Sequence, residues 1–392
     1  MVVKAVRKTP WFTYFPGDYR WSFIVSIALR RTAVGAADPA EIFEVCRRLE
    51  KKAGDDKLWS REWTRMGERI RAMGQSEERK GRKVSAAGHY NRACHYLQMA
   101  ERFHFPKTKA SNALYRKSVD CFKRYIRLTD APRIEAVEIP FEGGKKMPAY
   151  FIHAQNTRKS RPPVALSYTG FDGTKETSCI LSGLALARRG MSVVVPDTPG
   201  VGESIRFRRI HLRHDYEVAA AAIIDWLEKR KDVNAKKVGL LAASLGGYYS
   251  PRSAAMEKRI KACVAWGAIW DYHAVWKRRI EAAFKIQLPS PGNHLAWSFG
   301  VKTAEEGLKR LEGFRLDGVA ERMRCPFLLV HGEDDQQIPL ADARKLFKAA
   351  GSKDKTLRIF KGPDGGSQHC HMDYLAPVLP YMADWMAEKL GA

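Results

Sequence analysis

The feature that most restricts the fold lies between residues 134 and 360, where short apolar, β-rich runs alternate with helical periodicity. IEAVEIPF and KMPAYFIHA flank Gly143 and Gly144 and read as a hairpin. PVALSY (163–168), MSVVVPD (191–197), VGLLAA (238–243), ACVAWGA (262–268), PFLLVHG (326–332) and TLRIF (356–360) follow. Helices are expected over 174–189, over 213–231 and directly after Ser244. Strands apolar along their whole length must be covered on both faces, so the pattern predicts an α/β fold with a mostly parallel sheet between helical layers. From about residue 270 to 323 the sequence becomes aromatic, Pro-containing and helical, a candidate cap insert over the sheet.

Over residues 1–131 the periodicity is helical almost throughout. Residues 40–52 align Ile42, Phe43, Cys46 and Leu49 on one stripe, and 58–73 align Trp59, Trp63, Met66 and Ile70. Residues 86–103 add Tyr90, Tyr96, Leu97 and Phe103, and 111–128 add Leu114, Val119, Phe122 and Ile126. No internal repeat has the tetratricopeptide period. The segment is expected to be an N-terminal all-helical lid or dimerisation domain in front of a larger domain over 132–392. Its many aromatics make it a candidate homodimer surface.

Lys and Arg number 68 against 43 Asp and Glu, a net charge of +25, with more than half of the excess in the first 150 residues. Such a balance suits nucleic acid, an acidic membrane or an anionic small molecule. Neither a dense basic tract nor a nucleic-acid-reading motif is present, and the apolar stretch 23–29 is too short to cross a bilayer. The seven cysteines form no CxxC pair or framework and read as reduced thiols of a cytoplasmic protein. The opening residues lack the apolar region and cleavage site of a signal peptide. The expected partner is a small-molecule substrate, with no nucleic acid and no membrane.

Ala242-Ala243-Ser244-Leu245-Gly246-Gly247 stands between an apolar strand and a helix. A nucleophilic serine on a strained strand-to-helix turn needs small residues two positions before and after it, and Ala242 and Gly246 meet that need. A serine that merely caps a helix would also fit this run. Three further segments occur in the right order and strand-end contexts. His331-Gly332-Glu333-Asp334-Asp335 follows a strand and offers an acid, with Asp335 favoured over Asp334 by its spacing to Ile338-Pro339. Gln368-His369-Cys370-His371 follows the last strand and offers a base, with His369 favoured over His371. Ser167-Tyr168-Thr169-Gly170-Phe171-Asp172-Gly173 stands where a second oxyanion-hole N–H belongs, so the N–H groups of Phe171 and Leu245 are the expected donors. Together these predict the α/β-hydrolase fold with Ser244, Asp335 and His369 as catalytic residues. The 196–204 turn resembles a phosphate loop but lacks Gly-Lys-Ser/Thr and reads as structural. The two histidines around Cys370 have no partner cluster at ligand spacing, so neither a metal nor a cofactor is expected.

With Trp59-Ser60-Arg61-Glu62-Trp63, Gly88-His89-Tyr90-Asn91-Arg92-Ala93, the run from Thr169 to Glu176, His369-Cys370-His371 and Met382-Ala383-Asp384-Trp385, the chain resembles the FrsA-like hydrolases from about residue 15 onward. That family takes in 2,6-dihydroxypseudooxynicotine hydrolase and fungal Yg1-type polyketide-shortening enzymes. Ala242 and Thr169 depart from its usual glycines. The resemblance implies hydrolysis of an acyl group, either from a C–C bond beside a ketone or from an ester, with Ser244, Asp335 and His369 as the triad. Glu176, Trp270, Asp271 and His371 are candidate substrate-binding residues, and Trp266, Trp276 and Trp297 could line an aromatic pocket or pack as core. Asp271 and His273 could equally be a helix cap and a surface residue. Arg206, Arg208 and Arg209 are a candidate attractant for an anionic substrate, or a solvated loop.

Overall fold

The computed structural model describes residues 11–285 and 290–392. The first ten residues, part of the 1–21 stretch read for a signal peptide, and 286–289 within the expected insert lie outside the described residues. Five helices come first: α1 Tyr19–Arg30, α2 Pro39–Leu49, α3 Asp56–Arg79, α4 Lys83–Arg102 and α5 Lys109–Leu128. Asp18, Asp38 and Asp55 accept first-turn N–H groups of α1, α2 and α3, and Thr108 forms a capping box with Ser111 on α5. α1 goes beyond the periodicity read above, although its cap Asp18 and the spacing of Trp21, Ile24, Val25 and Ala28 mark it. α3 continues past the expected end at 73 through Gly74, where a Cβ would meet the Tyr90 ring at 3.1 Å, so the glycine lets α4 approach closely.

The strands are β1 Ile134–Pro140, β2 Lys146–Ile152, β3 Pro163–Tyr168, β4 Ser192–Pro196, β5 Asn234–Ala243, β6 Ile260–Trp266, β7 Phe327–Gly332 and β8 Lys355–Phe360. They form one sheet in the order β1-β2-β4-β3-β5-β6-β7-β8. β1 and β2 make the expected hairpin, turning through Gly143 and Gly144 at φ +62° and +71°. β2 is antiparallel to β4, and every later neighbour is parallel. The strand order reverses between β3 and β5. In such a sheet, crossovers leave on opposite sides at that point and open a crevice beyond the carboxyl ends of the two strands. Ser244 follows β5 and the Thr169–Gly173 loop follows β3, so both stand at this crevice.

One face of the sheet, including Val193, Val195, Leu241 and Val330, shares a continuous core with α1–α5 and the C-terminal helix Val378–Leu390. The other face, including Val194, Leu240 and Leu329, packs against helices Glu217–Glu228 and Gly246–Met256. Between β6 and β7 the chain forms helices Tyr272–Lys285, Ser290–Phe299 and Ala304–Leu311. No described helix is long and apolar enough to cross a membrane.

Candidate active site

Ser244 has φ +59°, a left-handed backbone that costs a non-glycine residue about 1–2 kcal/mol and persists only where packing enforces it. The enforcing contacts are specific. Ser244 N–H donates to the Trp266 carbonyl at 2.8 Å. A Cβ on Gly246 would lie 2.5 Å from that of Ala242, and one on Gly247 would lie 1.5 Å from the Gly267 carbonyl oxygen. Ala242 therefore tolerates its extra methyl because the residue two positions after the serine is glycine.

The loop after β8 brings His369 to this turn. One carboxylate, Asp373, accepts the N–H groups of Gly366, Ser367 and Gln368 at 2.9–3.0 Å and so shapes the approach to His369. The imidazole Nε2 lies 2.9 Å from Ser244 Oγ, and Nδ1 lies 2.7 Å from Asp335 Oδ2. Asp335 Oδ1 accepts the N–H groups of Gln337 and Ile338 at 2.8 and 2.9 Å. Burial opposes ionisation of Asp335, but His369 and these donors outweigh it and bring its pKa down to about 2. Burial likewise disfavours the His369 imidazolium, and the Asp335 carboxylate overcomes that and raises the ring's pKa. Behind them, His331 accepts the Ala268 N–H on Nδ1 at 3.1 Å and so presents Nε2–H to the Ile338 carbonyl, 3.2 Å away. Asp334 instead donates its N–H to the Ser367 carbonyl, tying the acid loop to the histidine loop.

The β3 loop closes over the serine. A Cβ on Gly170 would come 2.7 Å from that of Ser244, so only glycine allows this approach. The ring of Phe171 lies against His294 and Trp276, 4.5 and 5.1 Å between centroids. Among the described residues no hydrogen bond takes up the N–H groups of Phe171 and Leu245. Leu245 heads helix Gly246–Met256, whose N-terminal end favours negative charge.

Above Ser244 and His369 opens a cavity lined by α1, α4, the β3 loop and the insert helices. Phe23, Ile27, Met99, Trp266, Tyr272 and Trp297 supply its apolar wall. Four of the expected substrate-binding residues lie elsewhere. Glu176 is fully buried and bound to Lys175, Gln98 and Tyr150 at 2.8–3.1 Å, a join between the helices and the sheet. His371 accepts from Trp266 Nε1 at 2.9 Å, and burial holds it neutral, with a pKa of about 3. Asp271 caps the helix Tyr272–Lys285 through the Ala274 N–H, and Trp270 donates its N–H to Asp342. Trp276 packs on Phe171 in the core beside the site. Arg206, Arg208 and Arg209 do not converge. Arg206 lines the cavity but pairs with Glu101, Arg208 pairs with Glu138, and Arg209 ends its helix at φ +51°. The 196–204 turn is structural, because Asp197 accepts from Lys175 and from the Glu203 N–H.

A family model described as "Esterase FrsA-like" matches residues 52–360. Hydrolase acrC of Aspergillus aculeatus is 26% identical over 423 residues, covering 96% of this chain and 98% of that protein. The 20-hydroxy-prefusarin hydrolase FUS2 of Gibberella moniliformis is 27% identical over 372 residues, covering 86% of this chain and 88% of that protein. The crystal structure of the 2,6-dihydroxy-pseudo-oxynicotine hydrolase shares the fold, with a TM-score of 0.75 at 23% identity over 92% of this chain and 95% of that one. The family match takes in all eight strands of the sheet and three of the five leading helices, and the chain is accordingly an α/β-hydrolase that belongs to the FrsA-like esterase family.

Proposed function

We propose that this chain is a serine hydrolase acting on a C–C bond beside a ketone in an aryl-ketone or polyketide-like small molecule. The observation that carries the reading is the hydrogen-bonded chain from Ser244 through His369 to Asp335 at the base of an aromatic cavity. Ser244 Oγ attacks the carbonyl carbon while His369 Nε2 takes its proton, and Asp335 stabilises the imidazolium. The negative charge on the former carbonyl oxygen falls to the N–H groups of Phe171 and Leu245; losing one such donor costs on the order of 3 kcal/mol. Collapse of the tetrahedral intermediate breaks the C–C bond, and the departing carbanion takes the proton held on His369. Water, deprotonated by the same imidazole, then releases the acid from Ser244. A leaving group stabilised by a second carbonyl or a phenolic ring makes the carbon departure feasible, and substrates of this kind are what the family resemblance implies. The same apparatus opens an ester, with an alkoxide leaving in place of the carbanion, and the family's esterase description favours that as the second reading. We further read the helices over 19–128 as the lid of this site, because α1 and α4 form part of its wall.

Covalent labelling with a fluorophosphonate probe and peptide mapping tests the mechanism. Labelling at Ser244 that disappears in Ser244→Ala is expected, whereas a folded wild type that resists the probe would remove the nucleophile. Product analysis on a 1-aryl-1,3-diketone and its matched aryl ester then separates the bonds. Faster release of carboxylate from the diketone is expected, and turnover of the ester alone would transfer the assignment to an esterase.

A further inference from the structure

Apart from Arg279, which donates to the Gln337 side-chain oxygen at 3.0 Å, the Lys and Arg side chains of the cavity wall divide into two kinds. Arg102 pairs with Asp172 at 2.6 Å, Lys107 with Glu101 at 2.8 Å and Arg206 with Glu101 at 2.9 Å. Arg30 and Arg31, at the C-terminal end of α1, line the same cavity and have no carboxylate within ion-pair distance among the described residues. Arg31 is 6% exposed, and its only hydrogen bond among the described residues is the one Nη2 donates to the neutral Thr177 hydroxyl at 2.9 Å. Nε and Nη1 of both arginines are buried and bonded to nothing among the described residues. A buried, unpaired guanidinium is costly, and two side by side repel as well. The carbonyl end of α1 offers only roughly half an elementary charge in return.

We infer that Arg30 and Arg31 form an anion-binding subsite of this cavity, and that the substrate carries a carboxylate which they hold. The inference names the substrate class of the hydrolase proposed above and rests on that reading for its link to catalysis. Phe23, Ile27 and Arg30 stand at i, i+4 and i+7 and line the cavity together, so they share one face of α1. The Phe23 ring lies 5.9 Å from that of His369, and at the rise of a helix Arg30 follows about 10 Å further along the axis. Helical side chains lean toward the N-terminus, which inclines the Arg30 side chain back along α1 toward Phe23. Phe23, Ile24, Ile27 and Leu181 are apolar members of the same wall. A molecule with a hydrophobic body between its reactive carbonyl and a terminal carboxylate matches this order, and a planar carboxylate suits the guanidinium fork. Burial depresses Arg30 to about 10 and Arg31 to about 9, so both retain their charge at neutral pH.

Isothermal titration of the full-length protein with octanoate and octanamide at low salt tests the subsite without turnover. Octanoate is expected to bind at least about tenfold more tightly than octanamide and to slow fluorophosphonate labelling of Ser244. The Arg30→Gln/Arg31→Gln variant should lose the preference, and Arg30→Lys/Arg31→Lys should recover part of it. Should the double glutamine variant fail to fold, each single Arg→Gln variant carries the same comparison. Equal affinities in the wild type, a preference that survives the glutamine pair, or octanoate binding without protection of Ser244 would each overturn the proposal. Octanoate preference in a protein whose Ser244 resists labelling would keep the subsite and remove the hydrolase reading. Labelling without the preference would do the reverse.

Discussion

At Ser244 a left-handed backbone, two flanking glycines and a shaped histidine loop put one hydroxyl against one imidazole. Replacing Ser244 by alanine is expected to lower turnover by about 10⁴-fold or more, measured on whichever substrate the diketone and ester comparison selects. The pH dependence has a definite sign. Asp335 raises the pKa of His369 above the ordinary 6.5 despite burial, and a base must be unprotonated to accept the Ser244 proton. The acid limb of kcat/KM should therefore lie above pH 6.5 and move downward in Asp335→Asn, with a loss of about 10⁴-fold in rate. An acid limb unmoved by that substitution would separate Asp335 from the base. Gly247→Ala should destabilise by about 1–3 kcal/mol in a urea melt, because its Cβ meets the Gly267 backbone and something must shift. Ser244, Asp335 and His369 are legible in the sequence because each follows a recognisable strand. Arg30 and Arg31 are not, because among the described residues they are set apart by being buried without a carboxylate, and burial is decided by the tertiary structure.

Among the elements, α1 carries the most weight that the sequence conceals. Its apolar stripe faces the shared core while Phe23, Ile27 and Arg30 face the cavity, so apolar residues stand on two sides and blur the helical period. The helix after β3 is joined to the leading helices by a buried hub in which Lys175 Nζ lies 2.6–2.9 Å from Glu176, Asp197 and Glu203. Burial disfavours its charge, but the three carboxylates raise the Lys175 pKa. Removing the cation leaves buried carboxylates uncompensated, so Lys175→Met is expected to cost about 3–5 kcal/mol at neutral pH. A stability change below 1 kcal/mol in denaturant would mean that water already reaches the hub. Glu176 thus belongs to the joint that holds the helices over the site, a role hidden in sequence because Gln98 and Tyr150 come from distant segments.

On the scale of the whole molecule, the leading helices and one face of the sheet share a single core. We expect helical circular dichroism and tryptophan fluorescence to lose their native signals in one coincident transition, whereas two separated transitions would mean that the helices hold together without the sheet. The sequence alone determined the α/β architecture, the hairpin at Gly143–Gly144 and the strand ends that carry Ser244, Asp335 and His369. These depend on local period, glycine conformation and chain order, which are written residue by residue. Tertiary structure alone decided which polar groups face the cavity. It turned Glu176, Trp270, Asp271 and His371 away from the cavity, paired Arg206 with Glu101, and left Arg30 and Arg31 without a carboxylate among the described residues. A charge becomes a ligand site or a structural joint according to what distant segments bring within hydrogen-bond reach, and that distance is fixed only when the sheet and helices close on each other.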